Sequence, residues 1–511
     1  MTVMNSKNTT ESTNVSQILI SRKPADEKSV ITHFHANTKN IHEQRELSPD
    51  ISKRCSEAGP IDHIPLELLV KIFHLLPDAD LLHRIPLVSR TWYRVSLAPV
   101  LRTRLMLRKG VPPETLYQQF KTRPLMRVFH CPAMESAGSA LVNAILLTKS
   151  LRCLNIGFSH LTEECADSLS ANLPPTLVHL NVEGLKTVGL KFVSNLVLRC
   201  PNLQALNLSH CVAVCDQCVR LLSEKLRGLR RLKLDGILWL TDVALEYLAR
   251  SSALTTGCIS SLWLDGFELT SSGIRDFLLS VSNVQSNLRR GFHQLSSGYI
   301  DLLLENMDTL VGLRILWISY CDHLTDDAVK PIRNMTGLTA LTLRKAQQVT
   351  ADGWLYMFRL DDGTTNTSLK WLEHLDLSEC PSINDSVVSS LCECCGSRLR
   401  TLILNWCWDL TDHGLDEIVS SCPVMRHLSL VGNHSILGLA LKNIPVKQPS
   451  MTVVNLAQCN LVLDSILNEL VQMMPHLYVF DYFGEPVGGG SDDICHYDFL
   501  RSFEKVPICT D

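Results

Sequence analysis

The sequence has no stretch approaching the roughly 18 consecutive apolar residues that a membrane-spanning helix needs, although 45% of its 511 residues are hydrophobic, an ordinary globular share. It has no excess of one charge: 48 Lys+Arg stand against 52 Asp+Glu, a net of -4. That balance excludes a general electrostatic pull toward nucleic acid or an anionic membrane surface. Met1 to Asn14 is polar and lacks the apolar core of a secretory signal. A cytoplasmic or nuclear setting is therefore expected, and the Asn-x-Ser/Thr sequons at Asn8 and Asn14 are expected to be incidental. Catalytic signatures are missing too: no His-Glu-x-x-His, no Gly-x-x-x-x-Gly-Lys-Ser/Thr and no Gly-x-Ser-x-Gly occurs. The run Gly488–Gly490 lacks the strand and helix that flank a phosphate loop, and reads as a linker.

What the sequence does have is a period. Leu125, Leu151, Leu177, Leu203 and Leu229 each open a Leu-x-x-apolar-x-apolar segment, with His130 the exception in the first, and successive numbers differ by 26. The pattern returns at Ile259, Leu313, Leu338, Leu372, Leu399, Met425, Met451 and Leu477. Such a period marks a leucine-rich-repeat solenoid, whose extended surface binds more often than it catalyses. The expected fold is α/β: a right-handed horseshoe with a parallel sheet on its concave face and a helix returning each strand to the next. Helix entries recur as Leu324-Thr325-Asp326 and Leu410-Thr411-Asp412, with threonine as N-cap. Cys200-Pro201 and Cys422-Pro423 end two helices. One repeat is damaged, with Gly291 and His293 at strand positions after Leu288; another is lengthened by a loop at 361–366.

Nineteen cysteines invite a disulfide or metal reading. Cys321, Cys380, Cys407 and Cys459 follow the strand motif at one offset, as buried thiols of the repeat would. Cys200, His210, Cys211, Cys215 and Cys218 have metal-like spacing, but alignment of the repeats spreads them over different parts of one unit, and Cys392, Cys394 and Cys395 lack a second pair nearby. No metal and no cofactor is expected.

Residues 1–58 are polar with few aromatics and read as disordered, with a candidate phosphorylation dipeptide at Ser48-Pro49. From Ile61 an apolar helical stripe begins at Ile64-Pro65-Leu66, with Pro65 suited to a helix start and Pro77 to its end, and a second segment runs from Asp80 to Tyr93. So small a unit buries little core and is expected to lean on a partner. The segments are taken as 59–105, a linker 106–124, a solenoid 125–483 and a tail 484–511.

Ile64-Pro65-x-Glu67-Leu68-x-x-Lys71-Ile72-Phe73 and Val88-Ser89-Arg90-x-Trp92 resemble an F-box, a small all-helical unit. With cysteine after the strand, Leu-Thr-Asp at helix entry and Cys-Pro at helix exit, the repeats resemble the cysteine-containing leucine-rich-repeat subtype. The order of parts is that of the F-box/leucine-rich-repeat proteins, substrate receptors of SCF-type cullin–RING ubiquitin ligases. The resemblance implies a non-catalytic receptor. Its F-box binds a Skp-family adaptor, and through it the cullin–RING ligase, while its repeats hold a protein substrate. Ile64, Pro65, Leu66, Leu69, Ile72, Phe73, Leu81 and Trp92 are the candidate adaptor contacts, each alternatively part of the F-box's own core. A repeat scaffold that binds a protein without ubiquitin transfer is the second reading. A repeat enzyme or RNA-binding solenoid is disfavoured by the missing motifs and the balanced charge.

In the strand register, His179, Asn181, Ala205, Asn207, Arg231, Lys233, Ser261, Trp263, Ile315, Trp317, Thr342, Arg344, His374, Asp376, Thr401 and Ile403 face the concavity. Among them Arg231, Lys233, Trp263, Trp317 and Arg344 form an aromatic–basic patch with the composition of a binding hot spot. Trp406 and Trp408, just past a strand, either extend this patch along the rim or pack the loops.

Overall fold

The computed structural model describes residues 64–76, 80–81, 84–107, 112–135, 138–295 and 312–487. Residues 1–58 with Ser48-Pro49, Asn8 and Asn14, and the run Gly488–Gly490, lie outside them. Fifteen strands form one sheet in chain order: β1 Arg104–Met106, β2 Val128–His130, β3 Cys153–Asn155, β4 His179–Asn181, β5 Ala205–Asn207, β6 Arg231–Lys233, β7 Ser261–Asp265, β8 Ile315–Ser319, β9 Ala340–Leu343, β10 His374–Asp376, β11 Thr401–Ile403, β12 His427–Ser429, β13 Val453–Asn455, β14 Tyr478–Phe480 and β15 Pro486–Val487. All pairings are parallel except β14–β15. Between most strands lies a helix, so each repeat is one strand, one turn and one return. The middle residue of each three-residue strand, such as Leu180, Leu206, Leu232, Leu375, Leu402 and Leu428, is buried with the helices' apolar faces in one continuous core. The residues on either side of it face away from the helices.

The repeat motif has mechanical reasons. The Asp at helix entry accepts two hydrogen bonds from the Thr of the next repeat: Asp216 from Thr241 N (3.0 Å) and Oγ1 (2.7 Å), Asp326 from Thr350 (2.7 and 2.7 Å), Asp385 from Thr411 (2.9 and 2.6 Å). The cysteine after the strand donates to the last carbonyl of the preceding repeat's strand segment: Cys211 to Val182 (3.2 Å), Cys380 to Leu343 (3.4 Å), Cys407 to Leu377 (3.4 Å) and Cys459 to Leu430 (3.0 Å). A small, weakly polar thiol suits a buried site facing one carbonyl.

Three expectations are corrected. The first repeat starts one residue later than read: Met126, Phe129 and Cys131 are buried while Leu125 is exposed, and Val128 pairs with Cys153. His130 is then no exception but an outward residue. The segment expected to be a linker supplies the helix Pro113–Lys121, which packs on Gly138–Leu146, and β1 precedes it. No strand forms at 291–293; the helix Ser271–Leu295 runs through that stretch and β7 pairs directly with β8. The lengthened repeat does carry a loop, closed by a bridge between Arg359 and Thr365.

Candidate functional site

The first face lies on the amino-terminal unit. Helix Leu66–His74 starts behind Pro65 and packs against Arg90–Ser96. The second helix starts late because Pro86 sits in a 3-10 turn, Ile85–Leu87, and Ser89 then caps the helix by accepting from Trp92 N at 3.2 Å. The core of this unit is Leu69, Phe73, Leu81, Ile85, Val95 and Leu101, with Ile64 and Trp92 partly buried against it. Of the candidate contacts, Leu69, Phe73 and Leu81 fall on the core side of the two alternatives, buried inside the unit. Leu66 and Ile72 are exposed, as is Pro65. Leu68 and Leu75, one turn either side of Ile72, are exposed as well, and so are Leu87, Val88 and Tyr93. The sequence showed one wide apolar arc on the helix. The structure splits it into an inner edge, Leu69 and Phe73, and an outer stripe, Leu68, Ile72 and Leu75.

The second face is the concave side of the sheet. Lys233, Trp263, Trp317 and Thr342 fall in one row across β6–β9. Lys233 Nζ stands 4.4 Å from the Trp263 ring centroid, a cation–π contact. Trp317 Nε1 donates to Ser319 Oγ at 2.7 Å, and its ring stacks on His374 with planes at 12°. Arg344 lies one residue past β9 and pairs with the buried Asp376 at 3.4 Å. Trp263 departs from expectation: it is 5% exposed, so it is no free anchor. Arg231 and Lys233 are half-buried. Burial together with Arg231 and Arg152 pushes the His179 imidazole down to about 4. Burial also holds His374 at about 4, and raises the Asp265 carboxyl to about 6.

Trp406 and Trp408 do not join this patch; they follow β11, four strands on from β7. Trp406 adopts a positive φ of 58° and packs over Gly432, where a Cβ would strike its indole. It therefore packs the loops. Trp408 is exposed on the rim. Of the metal-like cysteines, Cys215 precedes the helix Asp216–Lys225, Cys218 is buried inside it, and Cys200 donates to the Pro174 carbonyl at 3.4 Å. Among the described residues, no helix is long and apolar enough to cross a membrane.

An F-box-like family model matches residues 61–108, and a leucine-rich-repeat model matches residues 368–392. Over 96 residues the chain is 40% identical to F-box/LRR-repeat protein 12 of Arabidopsis thaliana, covering 19% of this chain and 24% of that one. It is 29% identical over 195 residues to F-box/LRR-repeat protein 4 of Bos taurus (37% and 29% covered), and 23% identical over 333 residues to DNA repair protein RAD7 of Saccharomyces cerevisiae (58% and 56%). The chain thus spans between 24% and 56% of the length of these relatives. Among solved structures, a chain of the yeast Rad7 and Elc1 complex aligns with a TM-score of 0.46 at 17% identity, covering 91% of this chain and 99% of that one. An F-box-like unit followed by a leucine-rich-repeat solenoid is the pairing for which the F-box/LRR-repeat proteins are named, and this chain carries both parts.

Proposed function

We propose that this chain is the substrate-recognition subunit of an SCF-type cullin–RING ubiquitin ligase. The observation that carries this reading is the exposed stripe Leu68–Ile72–Leu75 on a helical unit that already closes its own core. A monomer gains nothing by leaving such a stripe wet, whereas a helix presenting it fits an adaptor groove. Ile64, Pro65, Leu66 and the exposed edge of Trp92 border the stripe and complete the Skp-family adaptor face. The solenoid then holds a protein substrate on its concave side, with Arg231, Lys233, Trp317 and Arg344 as recognition residues. The chain supplies no reacting group. Its contribution is proximity, which turns an encounter with the ubiquitin-charged enzyme into a near-intramolecular reaction. A cytoplasmic or nuclear site of action fits this role.

The test is reconstitution. The full chain is expected to co-purify with the adaptor and a cullin, and to direct ubiquitin onto proteins captured by its solenoid. Capture of proteins without adaptor binding would support a scaffold instead.

A further inference from the structure

The repeat that opens with β5 breaks the helix-entry rule of its neighbours. Thr241, Thr350 and Thr411 each cap a helix, accepting from Val243 N, Gly353 N and His413 N. Each also donates its hydroxyl to the Asp that opens the helix of the repeat before. Three residues on stands a small residue: Ala244, Gly353 or Gly414. Cys215 occupies the same N-cap position, ahead of the helix Asp216–Lys225, and makes no side-chain cap bond. The position that holds Asp in the other pairs holds Leu190 in the helix before it. The sulfur therefore does neither of threonine's two jobs. Three residues on, where the others are small, stands a second cysteine, Cys218.

The two thiols meet. Cys215 Sγ stands 4.0 Å from Cys218 Sγ, and both cysteines are free. Cys215 is partly exposed and Cys218 is buried. Burial, with the Cys215 thiol beside it, raises the Cys218 thiol well above its ordinary value, so it keeps its proton at pH 7. Two other settings show what is particular here. Cys392 and Cys422 are closer, at 3.8 Å, but both are buried. Cys258 is exposed, but its sulfur meets the Thr256 hydroxyl at 3.2 Å. Of the three, Cys215–Cys218 alone joins an accessible sulfur to a second sulfur in contact. Among the described residues no group of three His, Cys, Asp or Glu could hold a metal ion, so the chemistry on offer is that of two thiols.

We infer that Cys215 and Cys218 are a redox-active dithiol, oxidised reversibly to a disulfide by small disulfides of the glutathione class. Residues three apart on a helical turn are neighbours. To reach a bond of about 2.05 Å the sulfurs must close by about 2 Å, a movement that rotation about the two Cα–Cβ bonds can share. Cys215 reacts first because it is the accessible sulfur. Its thiolate attacks one sulfur of the small disulfide, forming a mixed disulfide and releasing one small thiolate. Cys218, its proton passing to that thiolate, then attacks the Cys215 sulfur and expels the second small thiolate. Two protein thiols are oxidised and one small disulfide is reduced to two thiols. Excess small thiol reverses both steps. The new ring encloses Asp216, whose carboxylate holds Thr241 N and Oγ1 of the next repeat at 3.0 and 2.7 Å. The oxidation state therefore acts on one rung of the ladder between repeats. The inference does not rest on the ligase reading.

Differential alkylation of the full chain, read by peptide mass spectrometry, tests it. The reduced, folded chain is equilibrated with reduced and oxidised glutathione at graded ratios, quenched with acid, then alkylated with N-ethylmaleimide under denaturing conditions. Cys215 and Cys218 are expected to lose alkylation together, in one peptide two hydrogens lighter, and to regain it under excess reduced glutathione. Cys392 and Cys422 are expected to stay alkylated. Cys218→Ala restores the small residue of the other repeats, and should trap Cys215 as a mixed disulfide with glutathione. Cys215→Thr restores their cap, and should leave the buried Cys218 alkylated. The wild-type result stands without either variant. The inference is overturned if Cys215 and Cys218 stay alkylated even in oxidised glutathione alone, or if their disulfide forms only in urea. It is overturned as well if a Cys392–Cys422 disulfide forms first, or if Cys218 oxidises equally well in the Cys215→Thr chain.

Discussion

Phe73 meets Trp92 edge to face, with ring centroids 5.0 Å apart and planes at 63°. The contact joins the two helices of the F-box unit and puts Phe73 in its core, while its neighbour Ile72 faces solvent. The two adjacent residues therefore have separable roles. Phe73→Ala is expected to cost about 3–5 kcal/mol, seen as fast amide exchange across 64–101 with the sheet still protected. Ile72→Asp leaves exchange in that segment unchanged.

The Asp385–Thr411 ladder predicts where the repeats are brittle. Asp385 also accepts from Gly414 N at 3.1 Å, so its loss strands three donors of the next repeat. Asp385→Ala should destabilise the solenoid by about 1–3 kcal/mol in urea titration. Asp409→Ala, at an exposed loop position, should stay within about 0.5 kcal/mol.

His374 predicts acid sensitivity. Its folded pKa of about 4 lies below the ordinary 6.5 of an unfolded chain. The unfolded state therefore binds the proton first, and the stability contributed above pH 6.5 is lost as pH falls from there toward 4. Replacing the imidazole with Phe removes this term. Between pH 7 and pH 4 the His374→Phe chain is expected to lose roughly 3 kcal/mol less than wild type, measured by denaturation at both pH values. Equal losses would show that this histidine does not titrate as described.

On the concave face, the roles of Trp263 and of the cations diverge. Trp263 is closed in under Lys233, so Trp263→Ala should lower stability by about 3–5 kcal/mol rather than act on substrate alone. Arg231→Glu with Lys233→Glu loses the cation–π contact on Trp263, about 1 kcal/mol of stability, keeps adaptor binding, and should cut substrate ubiquitination about tenfold or more, the scale of a lost hot spot. A reconstituted ligase assay with a captured substrate separates the two variants.

The repeat architecture was legible because one residue in each strand must always face the helices, and leucine at a fixed interval has no other reading. The frame slipped at Leu125 because Leu125 and Met126 are both apolar, and only the pairing of Val128 with Cys153 decides between them. The helix Ser271–Leu295 was missed because a lost strand pattern looks alike whether the repeat is damaged or replaced by helix. Strand alternation put Lys233, Trp263 and Trp317 in one outward row, as the strand pairings have them, whereas Arg231 lies in the neighbouring row and Arg344 one residue past β9. That Trp263 is buried was not legible, because strand alternation gives the face a side chain is on and not that Lys233 of the neighbouring strand folds over its ring. For the same reason the F-box stripe could not be divided into core and contact: Leu69 and Ile72 differ by three positions on one apolar arc, and only the packing of Arg90–Ser96 assigns the inner side.

The most direct test of the receptor account is calorimetric titration of a purified Skp-family adaptor into the full chain and into its Leu68→Asp, Ile72→Asp, Leu75→Asp variant. The account predicts saturable binding by the wild-type chain, none by the variant, and the same melting transition for both solenoids. Undiminished binding by the variant, or no binding by a folded wild-type chain, would contradict it.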